Sequence, residues 1–273
     1  MAYYSYPSPK SLTLTALQSR NSDESWQAIH ALRQQCVPET IQLAEKLCRS
    51  RNWRKRELGV NVISQLGFWQ GKSFVPYGID EAHHLLTKHL DDPHPLVIAA
   101  AIVGLGHRPF PDVLERIAAY ATHQDANIRY AVAFALGYYE APLAVDTVIM
   151  LTQDRDNQVR DWATFTLGSL VPQDTPDITD ALWQNVRDAD EDVSAEAIAG
   201  LAERQDKRII PFLKDVLAHT DQCQACYLEA AEKMGDKSLL PLLLALKDKT
   251  QSDADKGYWH NLLDDVIASL QAH

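Results

Sequence analysis

The chain has 273 residues, of which 46% are hydrophobic and 23% are charged, and its formal net charge is −11. This composition is ordinary for a protein with a packed core. The acidity argues against a sequence-independent nucleic-acid binder, because such a protein needs a broadly basic surface.

Signs of export or membrane insertion are also missing from the sequence. Residues 1–10 contain no apolar segment of a secretory signal, and the longest apolar run, 96–105, is too short to span a bilayer. The four cysteines are too few for a disulfide scaffold in a chain of this length. We therefore expect a reduced, cytoplasmic protein without a membrane anchor.

The first segment of the chain shows no periodicity. Residues 1–10 are rich in tyrosine and proline, and we expect this tail to be extended or disordered. Apolar residues with helical spacing follow, first in a partial repeat at 11–35. We predict that residues 11–273 form a single all-α domain.

A ten-residue pattern that ends in Leu-Gly recurs in the middle of the chain. Its copies end at Gly106, Gly137 and Gly168, with a period of about 31 residues. The positions eight and four residues before the leucine hold apolar or small residues, and they share one helical face. Small residues there allow close helix packing, and a glycine after the stripe suits a left-handed cap. The anchor residues of the extended frame are Leu66, Leu105, Leu136, Leu167, Leu201 and Met234.

Another helix precedes each of these helices. Prolines recur near the predicted first turn of this first helix. A short acidic turn connects the first helix to the second, and its Asp or Asn side chains can cap the second helix. The insert 68–78 lengthens one connection, and its aromatic content predicts a packed loop. The predicted helix pairs cover residues 39–67, 80–106, 111–137, 141–168, 177–202, 208–235 and 238–270.

The repeats share an acidic turn, a Val/Ile-Arg pair and a terminal Leu-Gly. One copy reads Asp125…Ile128-Arg129…Leu136-Gly137 and the next reads Asp156…Val159-Arg160…Leu167-Gly168. This pattern resembles HEAT repeats, and its short period is most similar to the subtype named for phycobilisome lyases. The resemblance covers roughly residues 39–250 and implies a right-handed α-solenoid of about seven to eight helix pairs, whose second helices line the concave face. Because the family includes scaffolds, adaptors, lyase subunits and regulatory proteins, it implies a fold rather than an activity.

A candidate partner-binding surface lies on the second helices, at positions that point away from the predicted core. Aromatic residues beside polar groups are typical of interface hot spots. The alternative is that superhelical curvature buries Phe134 and Phe165 between neighbouring repeats. The candidate residues are Asn127, Tyr130 and Phe134 on one helix, and Gln158, Asp161, Trp162 and Phe165 on the next.

Arginines in the repeat favour structural roles over ligand binding. We interpret Arg129 and Arg160 as a ladder in which each guanidinium bridges an aspartate or turn carbonyls, with phosphate binding as the alternative. The basic strip 49–56, which includes Trp53, is predicted to be a solvated turn and helix start. Its alternative is DNA contact, because the longer stretch 43–58, which contains the strip, resembles part of the HEAT-like DNA alkylpurine glycosylases.

Metal ligands are not predicted from the cysteines or histidines. Cys226 occupies a core position of its repeat, so we interpret it as a small core residue rather than as a zinc ligand. His83, His84 and His89 lack the spacing of a metal-binding helix motif.

These observations favour a non-catalytic scaffold or adaptor that grips a partner protein on its concave face. The acidity suggests a basic partner, and a regulatory or toxin-neutralising role is one version of this hypothesis. We expect no cofactor, no metal and no enzymatic activity, because no nucleophile elbow, phosphate loop or dinucleotide fingerprint is present. The alternative is an enzyme, either a lyase-like chromophore-handling protein or a HEAT-like DNA glycosylase. The sequence predicts no oligomeric state.

Overall fold

The computed structural model describes residues 7–18, 22–219, 223–250 and 257–272. Within these ranges the chain forms sixteen α-helices, arranged as eight successive pairs, and one two-stranded hairpin. The chain divides into two compact units, Met1–Thr147 and Val148–His273, and the boundary between them falls inside a helix. The all-α repeat fold is therefore confirmed, whereas the single domain over residues 11–273 stays a prediction.

The helices of the first unit lie in four pairs, with a hairpin between the second and third. Their bounds are α1 Pro9–Gln18, α2 Asp23–Arg33, α3 Pro38–Cys48, α4 Trp53–Ser64, β1 Gly67–Gln70, β2 Ser73–Pro76, α5 Ile79–His89, α6 Pro95–His107, α7 Leu114–Ala119 and α8 Ala126–Leu136. Short 3₁₀ turns at Pro111–Val113 and Tyr120–Thr122 flank α7.

Helix α9, Pro142–Leu151, contains the boundary between the units. The helices that follow are α10 Asn157–Phe165, α11 Pro176–Asn185, α12 Glu191–Glu203, α13 Ile209–His219, α14 Ala225–Met234, α15 Leu240–Thr250 and α16 Tyr258–Ala272. A π-helical turn at Thr166–Leu170 extends α10, and a 3₁₀ turn at Lys237–Leu239 precedes α15.

Second helices pack side by side within each unit. Helices α2, α4, α6 and α8 form one row, and α10, α12, α14 and α16 form another. The predicted apolar stripe faces the core, as in α6, where Val97, Ala101 and Leu105 are fully buried. The small stripe residue Ala163 of α10 is fully buried in the same way.

At the N-terminus, the first helix pair is more complete than the partial repeat predicted at 11–35. Helix α1 begins at Pro9, two residues before the predicted start of the domain at residue 11, and α2 follows it. Residues 1–6 of the predicted tail lie outside the described part of the chain.

The insert 68–78 is a β-hairpin, and the prediction of a packed loop is wrong. Strands β1 and β2 pair from Gly67 opposite Pro76 to Gln70 opposite Ser73, which leaves a two-residue connection. Gly71 in that connection has a φ of 64°, a value that glycine adopts without strain. Because so narrow a ribbon has no covering layer, Phe68 and Trp69 remain 43% and 67% exposed.

Glycines after the apolar stripe mostly allow close packing rather than left-handed caps. Among those described, Gly235 has a positive φ, 62°, and ends α14 as predicted. A Cβ at Gly106 would lie 2.7 Å from the Cα of Ala135 in the next second helix, and a Cβ at Gly200 would lie 2.7 Å from the Cα of Gly168. The prediction that these glycines generally form left-handed helix caps is therefore wrong. They are needed because the backbone of the neighbouring helix leaves no room for a Cβ.

Paired charges connect successive repeats. Arg160 donates Nε and Nη2 to the two carboxylate oxygens of Asp188 in the next repeat, each at 2.9 Å, and Nη1 to the Asp154 carbonyl. Arg56 and Asp92 form the same two-bond pair in the first unit, with their side chains 13% and 4% exposed. Arg129 donates to the carbonyls of its own turn, at residues 123 and 124. The predicted bridge between repeats is confirmed for Arg160, and the predicted contact with turn carbonyls is confirmed for Arg129.

Two arginines, Arg108, which is buried, and Arg204, which is half-buried, form a further set of bridges that the repeat pattern did not predict. Arg108 follows the stripe of α6 and donates to the carbonyls of Leu66 and Tyr77. Arg204 follows the stripe of α12 and donates to the carbonyls of Leu167, Gly168, Gly200 and Val171. Each guanidinium therefore holds the chain at the end of the preceding second helix.

Loss of the Arg160–Asp188 pair should destabilise the second unit. Asp188→Asn removes one charge from a half-buried ion pair, and we expect it to cost about 2–3 kcal/mol of unfolding free energy, measured by urea titration at pH 7. Arg116→Met is the control, because Arg116 and Asp91 form an exposed pair worth about 0–1 kcal/mol. Equal losses from the two variants would contradict the ladder's role.

The same pair predicts a pH dependence. The hydrogen bond from Arg160 holds the pKa of Asp188 below its ordinary value. An acid with a lowered folded pKa stabilises the fold above its unfolded pKa, and this contribution disappears as the pH falls through the folded pKa. The stability difference between wild type and Asp188→Asn should therefore be full near pH 7 and narrow below about pH 4. A difference that stays constant to low pH would contradict the assignment.

Candidate protein-binding surfaces

In the first unit, two predicted site residues lie beside an open groove of about 310 Å³. Asn127 is exposed and Tyr130 is half-buried, both on α8. The groove runs along α4, α6 and α8, and α1 and α2 close one side. The indole of Trp26 on α2 is 42% exposed at its edge. This groove therefore lies on the second-helix face of the first unit.

The groove combines a smooth apolar floor with a few polar groups. Short side chains of α6 at Ala99, Ala100 and Val103 leave the space open, and α4 adds side chains of both charges. Such a lining suits an extended segment of protein, because apolar contact provides area and few polar groups fix the register. The polar groups are Ser25, Arg54, Glu57, Asn61 and Asn127.

Phe134, the third predicted residue of α8, lies in an aromatic cluster and not in the groove. Its ring centroid is 5.0 Å from that of His107 and 5.5 Å from that of Tyr138. The Phe134 ring also packs close to Gly106, where a Cβ, if present, would contact the ring. Phe134 is half-buried, so packing between neighbouring helices accounts for much of its environment.

In the second unit, the other predicted residues lie together on α10. Gln158 is exposed, and Asp161, Trp162 and Phe165 are each half-buried. The rings of Trp162 and Phe165 are 5.3 Å apart and tilted by 51°. A tryptophan and a phenylalanine thus form one partly exposed aromatic pair beside a carboxylate.

Two acidic residues of the next second helix extend this surface. Burial, followed by the charges of Asp192 and Asp190, raises the pKa of Asp161. Burial, followed by the charges of Asp161 and Asp192, raises the pKa of Glu196. In the described part of the chain, no ion pair or hydrogen bond neutralises Asp161, Asp192 or Glu196. We name Gln158, Asp161, Trp162, Phe165, Asp192 and Glu196 the acidic–aromatic surface.

Sequence reasoning missed Asp192 and Glu196, although a signal for Asp192 was present. Asp192 lies nine positions before the anchor Leu201, the same outward position that Gln158 has in its repeat. Applying this outward position to the next repeat would have identified Asp192. The repulsion among the carboxylates depends on the distance between α10 and α12 and is not encoded in either helix alone.

Part of the basic strip 49–56 makes contacts within the fold. Arg56 is paired with Asp92, and Arg49 forms an exposed ion pair with Glu45. Trp53 stacks on His94, with ring centroids 3.9 Å apart, and Arg54 lies over the Trp53 ring while it also lines the groove. Arg49, Arg51, Arg54 and Lys55 are exposed at the turn and the start of α4, as predicted, whereas Arg56 is half-buried in its pair with Asp92.

Cys226 is half-buried rather than part of the core, so this interpretation is corrected. It lines an open cavity of about 340 Å³ together with residues of α12 and α14, while Cys223 is buried. Burial raises the pKa of each thiol to about 11. No group of three or more metal-ligating side chains is found among the residues that the structure describes. No described helix is long and apolar enough to cross a membrane.

The fold is an all-α repeat of helix pairs, and part of it matches a known repeat family. The model for HEAT repeats matches residues 84–168. Those residues include α6, α8 and α10, whose Leu-Gly frames are the clearest in the sequence. Residues 84–168 are therefore similar to HEAT repeats, and a similarity in fold to a solved structure covers 98% of the chain.

Among known proteins, the chain is similar to Protein YibA of Escherichia coli K12. The two are 29% identical over 234 residues, which cover 83% of this chain and 81% of YibA. The X-ray structure of E. coli YibA superposes with a TM-score of 0.74 at 26% identity, covering 98% of this chain and 93% of that chain.

Yeast importin-beta, Kap95p, shares the fold at lower identity. In its complex with Nup1 it gives a TM-score of 0.62 at 12% identity, covering all of this chain and 44% of Kap95p. At that identity the likeness shows the fold alone.

The crowded carboxylates predict a stabilising neutral substitution. Because its folded pKa is raised, ionised Glu196 destabilises the fold above that pKa, and this cost disappears at low pH. Glu196→Gln should therefore raise the melting temperature at pH 7 and leave it nearly unchanged near pH 3. Asp248→Asn, at an exposed position of α15, is the control and should not raise it. A lower melting temperature for Glu196→Gln at pH 7 would refute the repulsion.

Proposed function

We propose that this protein is a non-catalytic protein-binding scaffold whose second-helix faces hold a basic segment of a partner protein. The observation that carries the proposal is the acidic–aromatic surface, where carboxylates with raised pKa values lie beside Trp162 and Phe165 without a compensating cation among the described residues. We place the protein in the cytoplasm, which fits the free thiols of its four cysteines.

A bound cationic side chain would reduce the electrostatic repulsion between the carboxylates of the acidic–aromatic surface. Lysine or arginine between Asp161 and Glu196 would favour the ionised carboxylates and lower both pKa values. The aromatic pair supplies the partly buried anchors that dominate binding energy, and an arginine can also stack on an indole. The net charge of −11 would accelerate encounter with a basic partner.

The groove of the first unit supports the same function by a different chemistry. Its Ala-rich floor provides area for an apolar part of a partner, and Tyr130 and Trp26 provide aromatic contacts. Arg54 and Glu57 give it groups of both charges, so it would select for sequence pattern rather than for net charge.

A scaffold role also fits the protein class. Kap95p, which shares the fold, forms complexes with RanGDP and with Nup1. A regulatory or toxin-neutralising protein is one such scaffold, in which the captured partner is a basic protein held inactive. The DNA glycosylase alternative gains no support from the basic strip, because Arg56 is committed to Asp92.

The test is affinity capture from a lysate of the source organism, followed by quantitative mass spectrometry. Wild-type protein should capture a basic protein that Asp161→Lys/Glu196→Lys and Trp162→Ala/Phe165→Ala each lose by at least about tenfold. Asp177→Lys/Asp248→Lys carries the same change in net charge on exposed positions of first helices and should retain capture. Circular dichroism of every variant checks that the helices are intact.

Two results would overturn the proposal. In the first, the reversed-charge and aromatic variants capture the same proteins as wild type. In the second, the control loses capture as completely as Asp161→Lys/Glu196→Lys, which would reduce the effect to net charge.

A further inference from the structure

The β-hairpin carries the most exposed apolar cluster that the proposed function does not use. Phe68, Trp69, Phe74 and Ile79 are 43%, 67%, 38% and 48% exposed. Trp69 and Phe74 are opposite each other on one face, with ring centroids 5.5 Å apart. Exposed apolar patches of this kind mark interaction sites, because they cost free energy in water.

The hairpin is held firmly at its base. Arg108, the residue after α6, donates to the carbonyls of Leu66 and Tyr77, one on each side of the ribbon, and the Tyr77 N–H donates to the Leu66 carbonyl at 2.8 Å. The Phe74 ring covers Gly67, where a side chain would collide with it. The aromatic residues are therefore presented on an anchored element.

One edge of the hairpin is suited to pairing with another strand. A two-residue connection makes Gln70–Ser73 and Phe68–Val75 the hydrogen-bonded pairs, so the main-chain groups of Trp69 and Phe74 point outward. In the described ranges, nothing pairs with those of Trp69. Pro76 on β2 has no N–H and blunts that edge. The open edge is thus β1, centred on Trp69.

We propose that the β1 edge binds the β1 edge of a second copy of this chain, forming a four-stranded antiparallel sheet across a two-fold axis. An antiparallel edge is complementary to itself, so one pairing satisfies both copies. It also brings the two Trp69 side chains to the centre of the contact.

Charge complementarity supports a second copy as the occupant. Between residues 67 and 79 the charged residue is Lys72, at the tip of the hairpin, in a chain whose net charge is −11. Antiparallel pairing brings the tip of one hairpin beside the base of the other, next to the first turn of α5. Asp80 and Glu81 are exposed in that turn. Each Lys72 can therefore face carboxylates of the other copy.

The contact is expected to be weak and concentration-dependent. Stable complexes bury about 800 Å² per partner, and a four-residue edge with four apolar side chains offers less. We expect a dissociation constant on the order of 10 µM.

Sedimentation velocity over about 1 to 200 µM tests the dimer, because this range spans the expected dissociation constant. Wild type should change from monomer to dimer, and Trp69→Ala should weaken association by at least about tenfold. Tyr258→Ala is the matched control, since Tyr258 is 70% exposed outside the hairpin, and it should dimerise like wild type. Lys72→Glu should weaken the dimer, and Asp80→Lys added to it should restore part of the association.

The proposal is overturned if wild type stays monomeric at the highest concentration, which would leave the hairpin to a different partner. It is equally overturned if Trp69→Ala dimerises like wild type. Unfolding curves of Trp69→Ala should match wild type, because the indole is mostly exposed.

Discussion

The arginine bridges between successive repeats are the interaction on which the structure depends. A helix pair cannot bury its apolar stripe alone, so its position is set by the next pair. Arg160 with Asp188, and Arg56 with Asp92, fix that position by two parallel hydrogen bonds each. The geometry of a guanidinium against a carboxylate allows one register, whereas apolar packing alone would tolerate sliding.

Arg108 and Arg204 apply the same constraint from the other end of the helix. Both donate to main-chain carbonyls at the end of the preceding second helix, where the last carbonyls have no helical partner. In the first unit this contact also anchors the hairpin, because Arg108 binds Leu66 and Tyr77 on its two sides. The exposed aromatic ribbon is thus a consequence of how one repeat holds its neighbour.

Sequence patterns were sufficient for the helices and for the ladder, because these depend on local spacing. Asp125, Asp156 and Asp190 cap α8, α10 and α12 through their side chains, as the acidic turns predicted. The hairpin could not be predicted from aromatic content, since exposure depends on what covers a segment. The role of Gly106 likewise depends on the backbone at Ala135, which no local pattern reveals.

The features of the candidate site likewise divide into those that the sequence identified and those that only the packed structure shows. The repeat positions that point away from the predicted core identified Asn127 and Tyr130, which line the groove. They also identified the α10 residues Gln158, Asp161, Trp162 and Phe165. They did not identify the groove itself, because a groove needs small residues on one helix and larger ones on its neighbours. The raised pKa values of Asp161 and Glu196 arise from burial and proximity between helices, which is information that only the packed structure contains.

A direct test is the response of Trp162 to a cationic ligand. The six tryptophans give six indole N–H signals in a ¹⁵N spectrum, and single substitutions assign them. Titration with an arginine-rich peptide should shift the Trp162 signal at low salt, leave the exposed Trp69 and Trp183 signals in place, and lose its effect in Asp161→Asn/Glu196→Gln. A Trp162 signal that does not respond, or that responds equally in the neutralised variant, would contradict a cation-binding second-helix face.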